Sequence, residues 1–296
     1  MIKASALAAL ATAAVPARAQ LSRKAATPGY RIRNKRIRQS IMGWTFNPMP
    51  TEKLIATCVH IGLTGIEGIN RQFYPAARKA GLEISLVGSH GFAKGPNDPA
   101  NHAMCIGKLT DGIDAAKQFG ARRVITFVGM ETPGIDRDQA MANCVKAWKQ
   151  VVGHAEKNGI TICLEHLNSV DDSHPMKGHP GYQGDDLDFC IGAIKQVGSP
   201  SLKLLFDIYH VQIMHGDLEA LIRDNIDITR HFQIAGLSAR KEPNLGELNY
   251  PYLLNLIDSL NYKGWIGCEY HPNQSTISGL GWASEYGIKA WDVSDD

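Results

Sequence analysis

Residues 1–40 contain no aspartate or glutamate, yet they carry nine basic residues: Lys3, Arg18, Arg23, Lys24, Arg31, Arg33, Lys35, Arg36 and Arg38. The formal charge of +2 over 296 residues therefore hides an asymmetry. Residues 41–296 hold 22 basic against 29 acidic residues, a net of −7. A body of that sign is a poor general binder of nucleic acid, whose backbone selects for basic surfaces. No apolar run reaches the roughly 20 residues a membrane-spanning helix needs. No cysteine pair forms a C-x-x-C motif, so Cys58, Cys105, Cys144, Cys163, Cys190 and Cys268 read by default as free, buried small hydrophobes. No phosphate-binding loop is present, and no G-x-G-x-x-G follows the first strand signal.

The basic lead has its own pattern. Lys3 precedes an Ala-rich stretch from Ala4 to Val15, and Ala17-Arg18-Ala19 has the small-x-small form of a cleavage site before Gln20. That is the layout of a secretory signal peptide. The expected organisation is a signal at 1–19, a basic linker at 20–37 and one catalytic domain at 38–296. The expected location is the periplasm, with no membrane contact after signal removal; a misassigned start would leave the protein cytoplasmic. An oxidising compartment favours disulfides, so one cysteine pair could bridge there.

From residue 38 onward, β and α signals alternate. Short β-prone runs at 38–43, 65–68, 83–89, 123–128, 161–165, 203–207, 231–235 and 265–269 read as eight strands. Helical patterns separate them at 51–61, 72–80, 102–119, 137–157, 187–197, 218–225 and 252–260, with a last helix expected at 281–290. Gly62, Gly81, Gly120, Gly159, Gly198 and Gly264 stand between helices and strands, where a residue tolerant of positive φ ends a helix. Strict alternation implies a parallel sheet, and eight repeats favour closure into a (β/α)8 TIM barrel.

Active sites of such barrels lie at the C-terminal ends of the strands. Four polar residues end the last four apolar runs: Glu165, Asp207, Gln233 and Glu269. A buried carboxylate is costly unless it is paired or bound to metal. Taken singly, each could cap a helix or meet an arginine. Together, three carboxylates and an amide suggest one shared cation, and hard oxygen ligands suit Mg2+ or Mn2+ better than Zn2+. The long polar stretch 168–186, with Asp171, Asp172, His174, His179 and Tyr182, reads as a lid, a surface excursion or a contact in a homo-oligomer. His90 and Phe92, with Trp44 and Phe46, could wall a pocket or pack a lid. Glu67 ends the second strand and reads as the partner of an arginine. Glu247 either orients an Arg/His shell or caps the helix near Tyr250.

The segments Leu164-Glu165-His166-Leu167-Asn168, Phe206-Asp207-Ile208-Tyr209-His210-Val211-Gln212, His231-Phe232-Gln233-Ile234-Ala235, Gly246-Glu247-Leu248-Asn249-Tyr250 and Gly264-Trp265-Ile266-Gly267-Cys268-Glu269-Tyr270 give the chain a family likeness. It resembles the hydroxypyruvate isomerase family within the xylose-isomerase-like barrels. The resemblance implies that Glu165, Asp207, Gln233 and Glu269 ligate a metal, and that Glu165 and Glu269 are also the catalytic acid/base pair. It implies that His210 hydrogen-bonds a substrate oxygen and that Arg240 faces the substrate, where it could grip a carboxylate. The implied reaction is an aldose–ketose type isomerisation of a small hydroxy-keto acid or ketose, hydroxypyruvate and tartronate semialdehyde being the favoured pair. A ketose 3-epimerase would use the same chemistry, and a periplasmic sugar-binding protein would use none. The chain departs from the family pattern at 39–44 and at Leu167-Asn168-Ser169, where the family carries a proline-containing segment.

Overall fold

A computed structural model describes residues 38–237 and 239–273; the expected signal, linker and last helix lie outside them. Among the described residues the strands are β1 (Arg38–Ile41), β2 (Gly65–Ile66), β3 (Glu83–Ile84), β4 (Arg123–Thr126), β5 (Thr161–Glu165), β6 (Leu202–Asp207), β7 (Thr229–Ile234) and β8 (Trp265–Cys268). The helices are α1 (Thr51–Ile61), α2 (Tyr74–Lys79), α3 (His102–Phe119), α4 (Arg137–Trp148), α5 (Val152–Asn158), α6 (Leu187–Val197), α7 (Ile208–Met214), α8 (Leu218–Asn225) and α9 (Tyr250–Ser259).

Every strand pairing is parallel. One ladder runs β1-β8-β7-β6-β5-β4 and a second joins β2 to β3. Two single bridges join the ladders, Met42 with Glu67 after β1 and Val87 with Val124 after β3. The main-chain bonds there are Gly43 N–H to Glu67 O at 2.7 Å and Val87 N–H to Arg123 O at 2.9 Å. The order therefore closes on itself as an eight-stranded barrel, in which no edge is left for pairing with another chain.

Helices and strands bury their apolar faces against one another in one continuous core outside the strand ring. The interior of the ring is divided. Leu86, Ile125, Cys163 and Leu205, with Phe127 against them, make an apolar plug on the β3–β6 side. On the β7–β2 side the interior is polar and centres on Glu67, which is wholly buried. Its carboxylate accepts hydrogen bonds from Ser40 (2.9 Å), Ser85 (2.5 Å), His231 Nε2 (3.1 Å) and Gln233 Nε2 (3.3 Å). The expected arginine partner is thus replaced by two hydroxyls, an imidazole and an amide. Burial alone would raise the Glu67 pKa, but His231, Ser85 and Ser40 outweigh it and hold the carboxyl below its ordinary value.

Gly267 makes room for this group: a Cβ there would overlap Glu67 Oε1. Gly267→Ala therefore pushes a methyl into a closed polar cluster. It is expected to lower the urea midpoint by the equivalent of about 1–3 kcal/mol, the usual range for overpacking, read by circular dichroism.

The expected helix at 137–157 is two helices. The chain breaks at 149–151, where two adjacent β-branched residues, Val151 and Val152, precede Gly153, a weak run for continuing a helix. The break lets both Trp148 and Val151 turn into the core. Five of the six punctuating glycines have left-handed φ; at the sixth position the left-handed residue is Asn261 (φ 58°), and Gly264 instead clears the Tyr262 ring. Helix α9 starts two residues earlier than expected, with Asn249 Oδ1 capping the Tyr252 N–H. All six cysteines are buried, and none forms a disulfide among the described residues.

Candidate active site

The C-terminal ends of β5 to β8 carry the four residues singled out in the sequence. Glu165 closes β5, Asp207 closes β6 opposite Gln233 of β7, and Glu269 follows β8. All are buried, at 4%, 1%, 0% and 7% exposure for Glu165, Asp207, Gln233 and Glu269. Glu165 and Glu269 line a cavity of about 330 Å3 at the barrel mouth, together with His210, Arg240 and His90. One oxygen atom each of Glu165 and Asp207 and one nitrogen of His210 lie within 4.8 Å of one another, close enough to share a cation.

Asp207 does two things at once. Its Oδ1 caps α7 by accepting the Tyr209 N–H at 2.8 Å. Its Oδ2 has no hydrogen-bond partner among the described residues, and the same holds for Gln233 Oε1, Glu269 Oε2 and His210 Nε2. Gln233 is oriented from behind, because its NH2 donates to Glu67 and turns Oε1 away from it. Gln233 Oε1 is uncompensated, and Glu269 Oε2 and Asp207 Oδ2 share one guanidinium, that of Arg240; three buried oxygens with so little compensation fit a cation. The electrostatics agree. Burial pushes the Glu165 carboxyl well above its ordinary range, and the neighbouring Glu269 and Asp207 charges add to it. Burial likewise raises Asp207, and raises Glu269 to about 8 although Arg240 opposes the shift.

Arg240 is the cation that partly offsets these charges. It approaches Glu269 Oε2 at 3.1 Å and Asp207 Oδ2 at 3.5 Å, and donates to the Met176 carbonyl. Its backbone is left-handed (φ 50°), and its guanidinium lies 5.2 Å from the Tyr209 ring centre. So Arg240 reaches the cavity, but much of its fork is spent on protein groups.

His210 is set as a neutral donor. Its Nδ1 accepts from the backbone N–H of Asn168 at 3.2 Å and faces the Asn168 amide nitrogen at 2.6 Å, so the proton sits on Nε2. Burial, reinforced by Arg240, keeps the ring neutral. That Nε2–H lies 3.5 Å from Asp207 Oδ2 at the edge of the cavity. Asn168, which fixes this tautomer, is a functional residue that sequence reasoning did not single out; it has no local signal beyond standing three positions after Glu165.

His90 lines the cavity with both ring nitrogens engaged. Nδ1–H donates to Gly91 O at 3.1 Å, and Nε2 accepts from Thr126 Oγ1 at 2.9 Å. Thr126 Oγ1 in turn accepts from Trp148 Nε1 at 3.1 Å. Glu247 lies elsewhere. It is exposed, and Asn249 rather than Glu247 caps α9. The buried glutamate of that loop is Glu242, which accepts the Asn273 N–H at 2.8 Å and anchors the chain after β8.

Of the stretch 168–186, His179 and Met176 reach the cavity. Tyr182 is wholly packed and acts as a brace: its hydroxyl donates to Glu165 O at 3.1 Å and accepts the Val128 N–H at 2.8 Å. Asp172 and His174 are exposed, and Asp171 is half-buried.

Two buried glutamates lining one cavity, with Asp207 and a neutral histidine beside them at the mouth of a closed parallel barrel, make an arrangement that can hold an oxygen-rich ligand and pass protons. The chain belongs to the xylose isomerase-like TIM barrel family, whose model matches residues 55–286. Among curated relatives, it is 36% identical over 200 residues to a 2-oxo-tetronate isomerase of Cupriavidus necator, covering 68% of this chain and 73% of the relative. It is 33% identical over 183 residues to the hydroxypyruvate isomerase of Escherichia coli, covering 60% of this chain and 68% of that one. Among solved structures, a Brucella melitensis protein described as an AP endonuclease of family 2 superposes with a TM-score of 0.70 at 28% identity, over 84% of this chain and 99% of the other.

Proposed function

We propose that this chain is a divalent-metal-dependent isomerase that shifts a carbonyl between adjacent carbons of a small α-hydroxy carbonyl compound through an enediolate. Hydroxypyruvate with tartronate semialdehyde is the first pair to try, and 2-oxo-tetronate is the next, because the relatives bear those names. The observation that carries the reading is the pair of buried glutamates, Glu165 and Glu269, opening onto one cavity from different strands.

The chemistry needs one proton taken from a carbon beside the carbonyl and one returned to its neighbour. Either glutamate can take the first as a carboxylate, and the other can deliver the second as an acid. The Nε2–H of His210 points where it can donate to a substrate oxygen, and its locked tautomer keeps it from acting as a base. Arg240 stands beside Glu269 and Asp207, where it can meet a developing negative charge on the substrate. The lining of Leu167, Met176 and Phe92 keeps water from the reacting carbons. Glu165, Asp207, Gln233 and Glu269 would hold the cation, and a hard Mg2+ or Mn2+ there would stabilise the enediolate charge. The carboxylate-rich donor set argues against an endonuclease role: the described His, Cys and acidic residues form one such cluster, and its members are Glu165, Asp207 and His210.

The test is solvent exchange followed by NMR in D2O, with hydroxypyruvate and a panel of small ketoses. Deuterium is expected to enter at the carbon beside the carbonyl when Mg2+ or Mn2+ is present, and to stop when EDTA removes the metal. Metal binding with no exchange on any compound would mean a binding protein rather than an enzyme.

A further inference from the structure

The cavity mouth is split by strand number. The segments at and after β5 to β8 supply Glu165, His179, His210, Arg240 and Glu269. Those at and after β1 to β4 supply Met42, Trp44, Leu86, Phe92, Ile125 and Phe127. Because the strand order closes in sequence, these are the two halves of one ring.

Among the described residues, three side chains on the β1–β4 half of the lining carry polar atoms: Trp44, Ser89 and His90. His90 uses both nitrogens on Gly91 O and Thr126 Oγ1. The Ser89 hydroxyl donates to the Ile125 carbonyl. Among the described residues no lysine or arginine lines that half. Phe92 is braced between Phe127, at 6.4 Å between ring centres, and His179, at 4.1 Å. Burial and the nearby Arg240 keep His179 neutral, with its pKa lowered to about 4. A charged or multiply hydroxylated group placed there would lose its water and find only the Trp44 indole N–H and a Ser89 lone pair to replace it. The cavity also exceeds what a three-carbon acid fills: 330 Å3 falls within the range of about 300–1,000 Å3 in which proteins hold much larger ligands.

We propose that the site takes an α-hydroxy carbonyl compound with an apolar tail, alkyl or aryl, whose reacting oxygens face the β5–β8 carboxylates while the tail lies against Leu86, Phe92, Ile125 and Phe127. The orientation rests on the isomerase reading; the apolar half is a property of the walls alone. Met42 and Trp44 close the tail side from the β1 loop.

Isothermal titration calorimetry on the full chain with Mn2+ tests this. The probes are hydroxyacetone, 1-hydroxy-2-butanone, 1-hydroxy-2-pentanone, 1-hydroxy-2-hexanone and 2-hydroxyacetophenone, beside hydroxypyruvate and a five-carbon ketose. Each added methylene is expected to tighten binding about fourfold, the equivalent of ~0.8 kcal/mol per buried CH2. Phe92→Ala, on a half-buried loop position, and Phe127→Ala are expected to flatten that slope.

A flat or falling series overturns the proposal. So does a five-carbon ketose that binds more tightly than 1-hydroxy-2-pentanone, or an absence of binding by every tailed compound. Deuterium exchange on the same samples separates the two readings. Rising affinity without exchange on any compound removes the isomerase and leaves the apolar site. Exchange of hydroxypyruvate with a flat series does the reverse.

Discussion

Glu165→Gln is expected to lower kcat by about 10²–10⁴-fold, the usual contribution of a positioned acid or base, while raising the melting temperature of the metal-free protein. The two effects have one cause. Burial and the adjacent charges of Glu269 and Asp207 hold the Glu165 carboxyl well above its ordinary pKa, so its ionised form costs folding free energy. An amide has the same shape without the charge, and each kcal/mol relieved moves Tm by about 2–4 °C in a chain of this size class. The sign of the pH dependence follows for its partner. Glu269 has a folded value raised to about 8, against about 4.3 for an unfolded glutamate, so its contribution is full below pH 4 and is lost as pH rises to 8. Metal-free wild type should therefore lose stability across that window, and Glu269→Gln should lose less. Thermal melts at pH 5 and pH 8, with EDTA and with Mn2+, check this. A variant with lower kcat but an unchanged or lower metal-free Tm would mean that Glu165 is already compensated by a partner.

The cost of burying charge explains why these strand ends stood out as a candidate site before the fold was known. A carboxylate at the end of an apolar strand advertises a functional cost, and Glu165, Asp207 and Glu269 all stand that way. Helix ends were legible for a similar reason, since Gly62, Gly81, Gly120, Gly159 and Gly198 adopt the backbone that other residues avoid. What escaped was decided at long range. Helix α7 begins at the residue after Asp207, with no linker to announce it, because the ligand candidate is also the cap. Asn168 sets the His210 tautomer across 42 positions of sequence, and Glu242 rather than Glu247 is buried because the chain after β8 returns to it. Glu67 was visible as a strand-end carboxylate, but its partners come from three other points of the ring, Ser40 on β1, Ser85 after β3, and His231 with Gln233 on β7, up to 166 residues away. Periodicity carries no information about such a meeting.

Glu67 supplies the second large effect. Glu67→Ala would leave two hydroxyls, His231 Nε2 and the Gln233 amide without an acceptor inside the barrel. It is expected to cost about 3–5 kcal/mol, as breaking a buried charged group from its partners does, and to yield little folded protein. Glu67→Gln is the informative change, because it keeps the volume and one carbonyl acceptor. Its new NH2 competes with the Gln233 NH2 for the same acceptors, so Gln233 loses the contact that turns Oε1 away from residue 67. Outer partners of a metal ligand typically contribute 10–100-fold in affinity. Mn2+ binding followed by electron paramagnetic resonance should weaken by that factor in Glu67→Gln, with far-UV circular dichroism unchanged. Gln233→Glu in the same background should restore it, since a carboxylate presents an oxygen in either orientation. Weakened binding that Gln233→Glu does not rescue would show that Glu67 acts through the barrel frame rather than through Gln233. Unchanged binding in Glu67→Gln would show that Glu67 does not orient Gln233 for the metal.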